Sequence, residues 1–146
     1  MERRDFIKST CLTCTGSISA SWLIQACTPQ KYITTVPERG NKLVIKKTEF
    51  TLLKKGKPIQ QKFILIKPDN TQFPIVIYQL KENEYKALYL QCTHQGCELT
   101  PHETMLVCPC HGAEFNIHGE VITGPADISL TSFITTTDHE NIYVQR

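Results

Sequence analysis

Two short runs of the chain each set a thiol near an imidazole: Cys92-Thr93-His94 and Cys108-Pro109-Cys110-His111, separated by Gln95 to Val107. Thiolate and neutral imidazole are ligands for soft and borderline metals. Two of each kind suit two different centres. Zinc takes Cys2His2 sets from short-spaced pairs, and a two-iron, two-sulfide cluster can take cysteine on one iron and histidine on the other. Exchanging two anionic thiolates for neutral imidazoles removes negative charge around such a cluster, which favours its reduced state and raises its potential. Neither centre needs a nucleophile or an acid–base pair, and no catalytic residue is assigned. Each run also has a cysteine to spare: Cys97 follows the first, and Cys110 sits inside the second.

The elements that must position these residues read as β-structure. The segment from Cys92 to Pro125 is punctuated by Gly96, Pro101, Pro109, Gly112, Gly119, Gly124 and Pro125, and reads as loops inserted on a β base. From Leu43 onward no apolar set sustains a helical period. Short β-branched and aromatic runs at Lys62 to Ile66, Ile75 to Leu80 and Tyr85 to Leu90 predict strands, with turns at Pro68-Asp69-Asn70 and Glu82-Asn83-Glu84. Ser132 to Thr136 and Asn141 to Val144 flank Asp138-His139-Glu140 as a closing hairpin. The expected fold is all-β, an antiparallel sandwich or small barrel carrying a loop-rich subdomain.

At 146 residues the chain accommodates one such domain and not two. A formal net charge of +2 makes no basic field, so nucleic acid is not an expected partner. Lys46-Lys47 and Lys54-Lys55 read as parts of a solvated face, and His102, His118 and His139 as exposed turn histidines.

The beginning of the chain reads as an address. Arg3 and Arg4, followed by Phe6, Lys8 and a mildly apolar run from Cys11 to Ala26 that includes Trp22, resemble a twin-arginine export signal. That run is shorter and more hydroxylated than the ~20 apolar residues a bilayer span needs. Leu23-Ile24-Gln25-Ala26-Cys27 is similar to a lipoprotein cleavage box, which would acylate Cys27 and remove Cys11 and Cys14 with the signal. The predicted layout is a signal over 1–26, a lipidated N-terminus and linker over 27–42, and a folded domain over 43–146 with its ligand loops in 92–125. Such a chain would be exported to the periplasm or the outer face of a bacterial membrane and held there by lipid.

In Cys92-Thr93-His94-Gln95-Gly96-Cys97 and Cys108-Pro109-Cys110-His111-Gly112 the chain resembles the Rieske proteins of cytochrome bc complexes. Gly119 matches that family's turn glycine after the second loop, and Gly124-Pro125-Ala126 its proline loop. The resemblance implies one [2Fe-2S] cluster per chain held by Cys92, His94, Cys108 and His111, and a disulfide between Cys97 and Cys110, which an oxidising compartment permits. In high-potential members a serine and a tyrosine donate hydrogen bonds near the cluster where this chain has Ala113 and Phe115, and an apolar residue stands where it has Gln95.

The function implied is one-electron transfer in an exported, membrane-tethered protein whose partner is a cytochrome or an oxidoreductase subunit. The alternatives are the iron-sulfur subunit of a quinol-oxidising bc complex, with quinol as a partner, or that of a molybdenum oxidoreductase such as an arsenite oxidase. A redox-sensing or zinc-stabilised structural lipoprotein is the reading from a different class.

Overall fold

In the computed structural model, residues 32–146 are described, and the export and lipidation motifs at Arg3, Arg4 and Cys27 lie outside them. Fourteen short strands account for about half of this span. They are β1 (Tyr32–Ile33), β2 (Glu38–Arg39), β3 (Lys42–Lys46), β4 (Thr51–Lys54), β5 (Lys57–Gln60), β6 (Phe63–Ile66), β7 (Ile75–Lys81), β8 (Glu84–Tyr89), β9 (Thr100–Pro101), β10 (Met105–Val107), β11 (Glu114–Asn116), β12 (Val121–Thr123), β13 (Ser132–Thr137) and β14 (Asn141–Gln145). One 3-10 turn, Lys47–Phe50, follows β3.

Eight strands form the base, in the order β1-β6-β7-β8-β13-β14-β3-β2. The β1–β6 pairing is parallel, and the other pairings are antiparallel. Successive strand residues point to opposite faces, and the base uses both faces. Leu43, Ile45, Ile64, Ile66, Ile75, Ile77, Ala87, Ile142 and Val144 fill one core around Phe50. Their neighbours Leu65, Val76, Tyr78 and Leu88 fill a second core with Leu106, Phe115, Cys92 and Cys108. The site is thus built onto the outer face of the base through shared apolar packing.

The segment between β8 and β13 carries its own sheet, ordered β12-β11-β10-β9. The expectation of loops alone therefore understates it: the strands are only two or three residues long, too short to show a period. Tyr78 ties the two layers together, because its buried hydroxyl donates to the His102 carbonyl across 2.8 Å. Tyr32–Ile33 and Glu38–Arg39, inside the stretch expected as linker, pair with β6 and β3. The strands expected at 62–66, 75–80, 85–90, 132–136 and 141–144 are present as β6, β7, β8, β13 and β14.

Candidate metal centre

Both cysteine–histidine runs lie in six-residue loops with one hydrogen-bond frame. In the first, the Cys92 N–H donates to the Cys97 carbonyl (2.8 Å) and the Gly96 N–H to the Cys92 carbonyl (2.8 Å). In the second, the Cys108 N–H donates to the Ala113 carbonyl (2.8 Å) and the Gly112 N–H to the Cys108 carbonyl (3.0 Å). Gly96 and Gly112 occupy equivalent positions at φ +72 and +74, a left-handed conformation that glycine adopts without steric cost. The second loop joins β10 to β11, so the Val107–Glu114 pairing sets its mouth. The first leaves β8 through Leu90, whose N–H donates to the Pro74 carbonyl, and closes with the Gln91–Glu98 bridge.

Within this frame Cys97 and Cys110 form a disulfide that cross-links the loops. Cys92 and Cys108 are free and buried at 2% exposure each. The Cys108 sulfur lies within 4.8 Å of both disulfide sulfurs. Those two are consumed in their mutual bond, so the free thiols are the sulfur donors on offer. Burial pushes the Cys92 thiol above its ordinary range. The adjacent Cys108 thiol raises it further, while the backbone N–H groups of His94 and Gln95, directed at the Cys92 sulfur, act the other way.

His94 and His111 face each other edge to plane, with ring centroids 5.0 Å apart. His94 is half-buried, and its Nδ1 is buried without a hydrogen-bond partner. An unpaired buried nitrogen costs stability, so a group bound there would relieve the deficit. Two buried thiols, two convergent imidazoles and this orphaned nitrogen fit a metal or iron-sulfur group carrying mixed sulfur and nitrogen ligation.

The segment after β12 covers the loops. Gly124–Pro125 is a cis peptide, Ala126 and Leu130 enter the core beside the free cysteines, and the Thr93 hydroxyl donates to the Ile128 carbonyl at 2.6 Å. Ala113 and Phe115 are fully buried in that core. Thr93 and Tyr78 are the positioning residues that sequence reasoning missed. A hydroxyl between a cysteine and a histidine is a weak signal, and a tyrosine in a buried strand gives none. His102, His118 and His139 are exposed, as expected.

A family model for the Rieske [2Fe-2S] domain matches residues 42–134, more than half of the chain, and the chain belongs to that family. Its disulfide places it with the disulfide-containing members that the loops resemble. Among curated proteins it is similar to the cytochrome b6-f complex iron-sulfur subunit of Prochlorococcus marinus, 37% identical over 57 residues, covering 38% of this chain and 32% of that protein. It is also similar to the cytochrome b6-f complex iron-sulfur subunit 2 of Synechocystis, 41% identical over 54 residues, 35% of this chain and 30% of that one. The match spans about a third of the length of these relatives. Among solved structures, the cyanobacterial plasma membrane Rieske protein PetC3 from Synechocystis superposes with a TM-score of 0.51 at 31% identity, covering 58% of this chain and 87% of that one. The family and these relatives indicate a [2Fe-2S] cluster as the cofactor.

Proposed function

We propose that Cys92, Cys108, His94 and His111 hold the [2Fe-2S] cluster, and that the chain is an electron-transfer protein passing single electrons to a cytochrome-type or oxidoreductase partner. The observation that carries this reading is a pair of free buried thiols and a pair of facing imidazoles in two loops cross-linked by Cys97 and Cys110. When bound, such a cluster takes up and releases one electron. The side chains around it have simpler tasks. Leu106, Ala113, Phe115 and Ala126 exclude water from the sulfur side. The backbone N–H groups of His94 and Gln95 favour thiolate at Cys92, and the disulfide with the Thr93–Ile128 hydrogen bond fixes the loops. His111 is the open edge.

Protein recovered from its native compartment should contain about two irons and two acid-labile sulfides per chain. Cys108→Ser or His111→Ala should remove the [2Fe-2S] EPR signal. Stoichiometric zinc with no EPR signal on reduction would sink this reading.

The proposed layout keeps 1–26 as a twin-arginine signal and Cys27 as a lipid anchor, and shortens the tether to the residues before β1, since β1 and β2 draw the rest of the expected linker into the base; the protein is then membrane-held and exported. The motifs at Arg3-Arg4 and Leu23 to Cys27 support it. Among the described residues no helix is long and apolar enough to cross a membrane. Export should fail in Arg3→Lys with Arg4→Lys, and a Cys27→Ala chain of unchanged mass in the membrane pellet would refute lipidation.

A second reading, a subunit of a quinol-oxidising complex, is favoured by the b6-f relatives. Ala113, Phe115 and the exposed Gln95 count against it, since the resemblance places hydrogen-bond donors and an apolar tip at those positions. Co-purification of the tagged protein with a b-type cytochrome would decide for the complex.

A further inference from the structure

The β4–β5 hairpin takes no part in the metal centre. It forms a sheet of its own, exposed along both strands. Its cross-strand pairs are Thr51–Gln60, Leu52–Ile59, Leu53–Pro58 and Lys54–Lys57. Lys55 and Gly56 close it at φ +53 and +76, the pattern of the tight turn that suits a two-residue hairpin. An isolated two-stranded ribbon is marginal in water, yet this one leaves Leu53 78% and Ile59 47% exposed.

Its two faces differ. Leu52 lines a small cavity with Ile33, Glu49, Gln61 and Ile64, so its face turns toward the body. Alternation then puts Leu53 and Pro58 on the face turned away. Lys54, Lys55 and Lys57 crowd the tip, and none of them joins an ion pair among the described residues. A tip with Leu53 on one face, the Lys54–Lys57 pair on the other and Lys55 in the turn suits an anionic bilayer met tip first, where the leucine reaches the acyl boundary and the lysines meet lipid phosphates.

Placement favours a bilayer over an acidic protein. The chain enters the fold at β1, whose Ile33 shares the Leu52 cavity. Tyr32 follows Cys27 by five residues, a reach of at most ~17 Å. The hairpin is also fastened at the end of the base remote from the ligand loops. Gln60 donates to Gln79 at 3.0 Å, whereas the first ligand loop leaves through the Leu90–Pro74 hydrogen bond. Those two points lie five residues apart along the chain at β7, about 17 Å of extended strand.

We propose that the β4–β5 hairpin docks on an anionic lipid surface through Leu53, Lys54, Lys55 and Lys57. This deepens the membrane-tethered reading and rests on it. The test uses the full chain carrying Cys27→Ala, which removes any acyl anchor and leaves the hairpin contribution measurable by itself. Co-sedimentation is measured with vesicles of phosphatidylethanolamine and phosphatidylglycerol, and with phosphatidylcholine vesicles.

Binding to the anionic vesicles should fall about fivefold per lysine neutralised, and by more than about a hundredfold in K54E/K55E/K57E, where each of the three charges is reversed. It should fall several-fold in Leu53→Ala, an exposed substitution that the fold tolerates. Reversal of three lysines elsewhere, K42E/K67E/K86E, should leave most of the binding in place. Phosphatidylcholine vesicles should bind every variant weakly. Equal binding by the parent chain and K54E/K55E/K57E would overturn the proposal, as would an equal loss in the two triple variants or no preference for anionic lipid. The tether reading fails separately, through the mass of the wild-type chain recovered from membranes.

Discussion

Removing the disulfide should loosen the small sheet selectively. Cys97 and Cys110 close a loop at a sequence separation of 13, and that loop contains β9 and β10. In the chain-entropy account a cross-link of this span limits the unfolded ensemble by about 3 kcal/mol. For a domain of this size that corresponds to a midpoint lowered by on the order of 10 °C. Cys110 is exposed and Cys97 half-buried, so Cys97→Ala with Cys110→Ala leaves little void and isolates the cross-link. The comparison must use metal-free protein for both forms, because a bound group adds stability by mass action. Amide exchange should then quicken in β9 to β12 and in the two ligand loops, while β7, β8, β13 and β14 keep their protection. A midpoint within about 3 °C of the parent would refute the entropic argument. Uniform acceleration across the base would refute the claim that the constraint is local.

Other perturbations follow from particular contacts. Ala113→Ser with Phe115→Tyr should raise the reduction potential by on the order of 80 mV, taking about 1 kcal/mol of differential hydrogen bonding per donor; both sites share the core of the free thiols, and voltammetry showing an unchanged or lower value would mean these residues only pack. Gly119→Ala should cost about 2–3 kcal/mol in chemical denaturation, because Gly119 sits at φ +89 and an added Cβ would stand 2.8 Å from a methyl of the buried Leu88; an unchanged midpoint would show that the turn gives way. In the last hairpin, the Asp138 carboxyl is held well below the ordinary carboxylate range, first by the Tyr143 hydroxyl and then by the Asn141 and Glu140 N–H groups. Its contribution is therefore complete above about pH 4 and lost as pH falls toward the folded-state value. Asp138→Asn should flatten the acid limb of a stability–pH curve, and a parallel curve would assign that limb to other groups.

Most of the base was legible because its strands alternate or run apolar over five or six residues, as Ile75 to Lys81 does with turn residues on either side. The site was legible because six chemically unusual residues occupy two short runs, and ligand chemistry leaves few ways to use them. What escaped is short or exposed. β1 and β2 are two residues each and lie in a stretch whose prolines and charges read as linker. The β4–β5 hairpin has no buried face to impose a period, so its lysines read as ordinary solvated charge. The β9–β12 sheet is held by tertiary packing of Leu106 and Phe115, which no local pattern announces.

The two ligand loops repeat one frame but do not fill it alike. His94 is the third residue of its frame, the place Cys110 takes in the other, and His111 is the fourth. A strict twofold arrangement of imidazoles is thereby broken: one ring is half-buried and the other open to water. A one-residue offset inside a repeated scaffold thus gives chemically identical side chains unequal access to solvent, so that any reagent reaching the imidazoles from water reaches His111 more readily than His94.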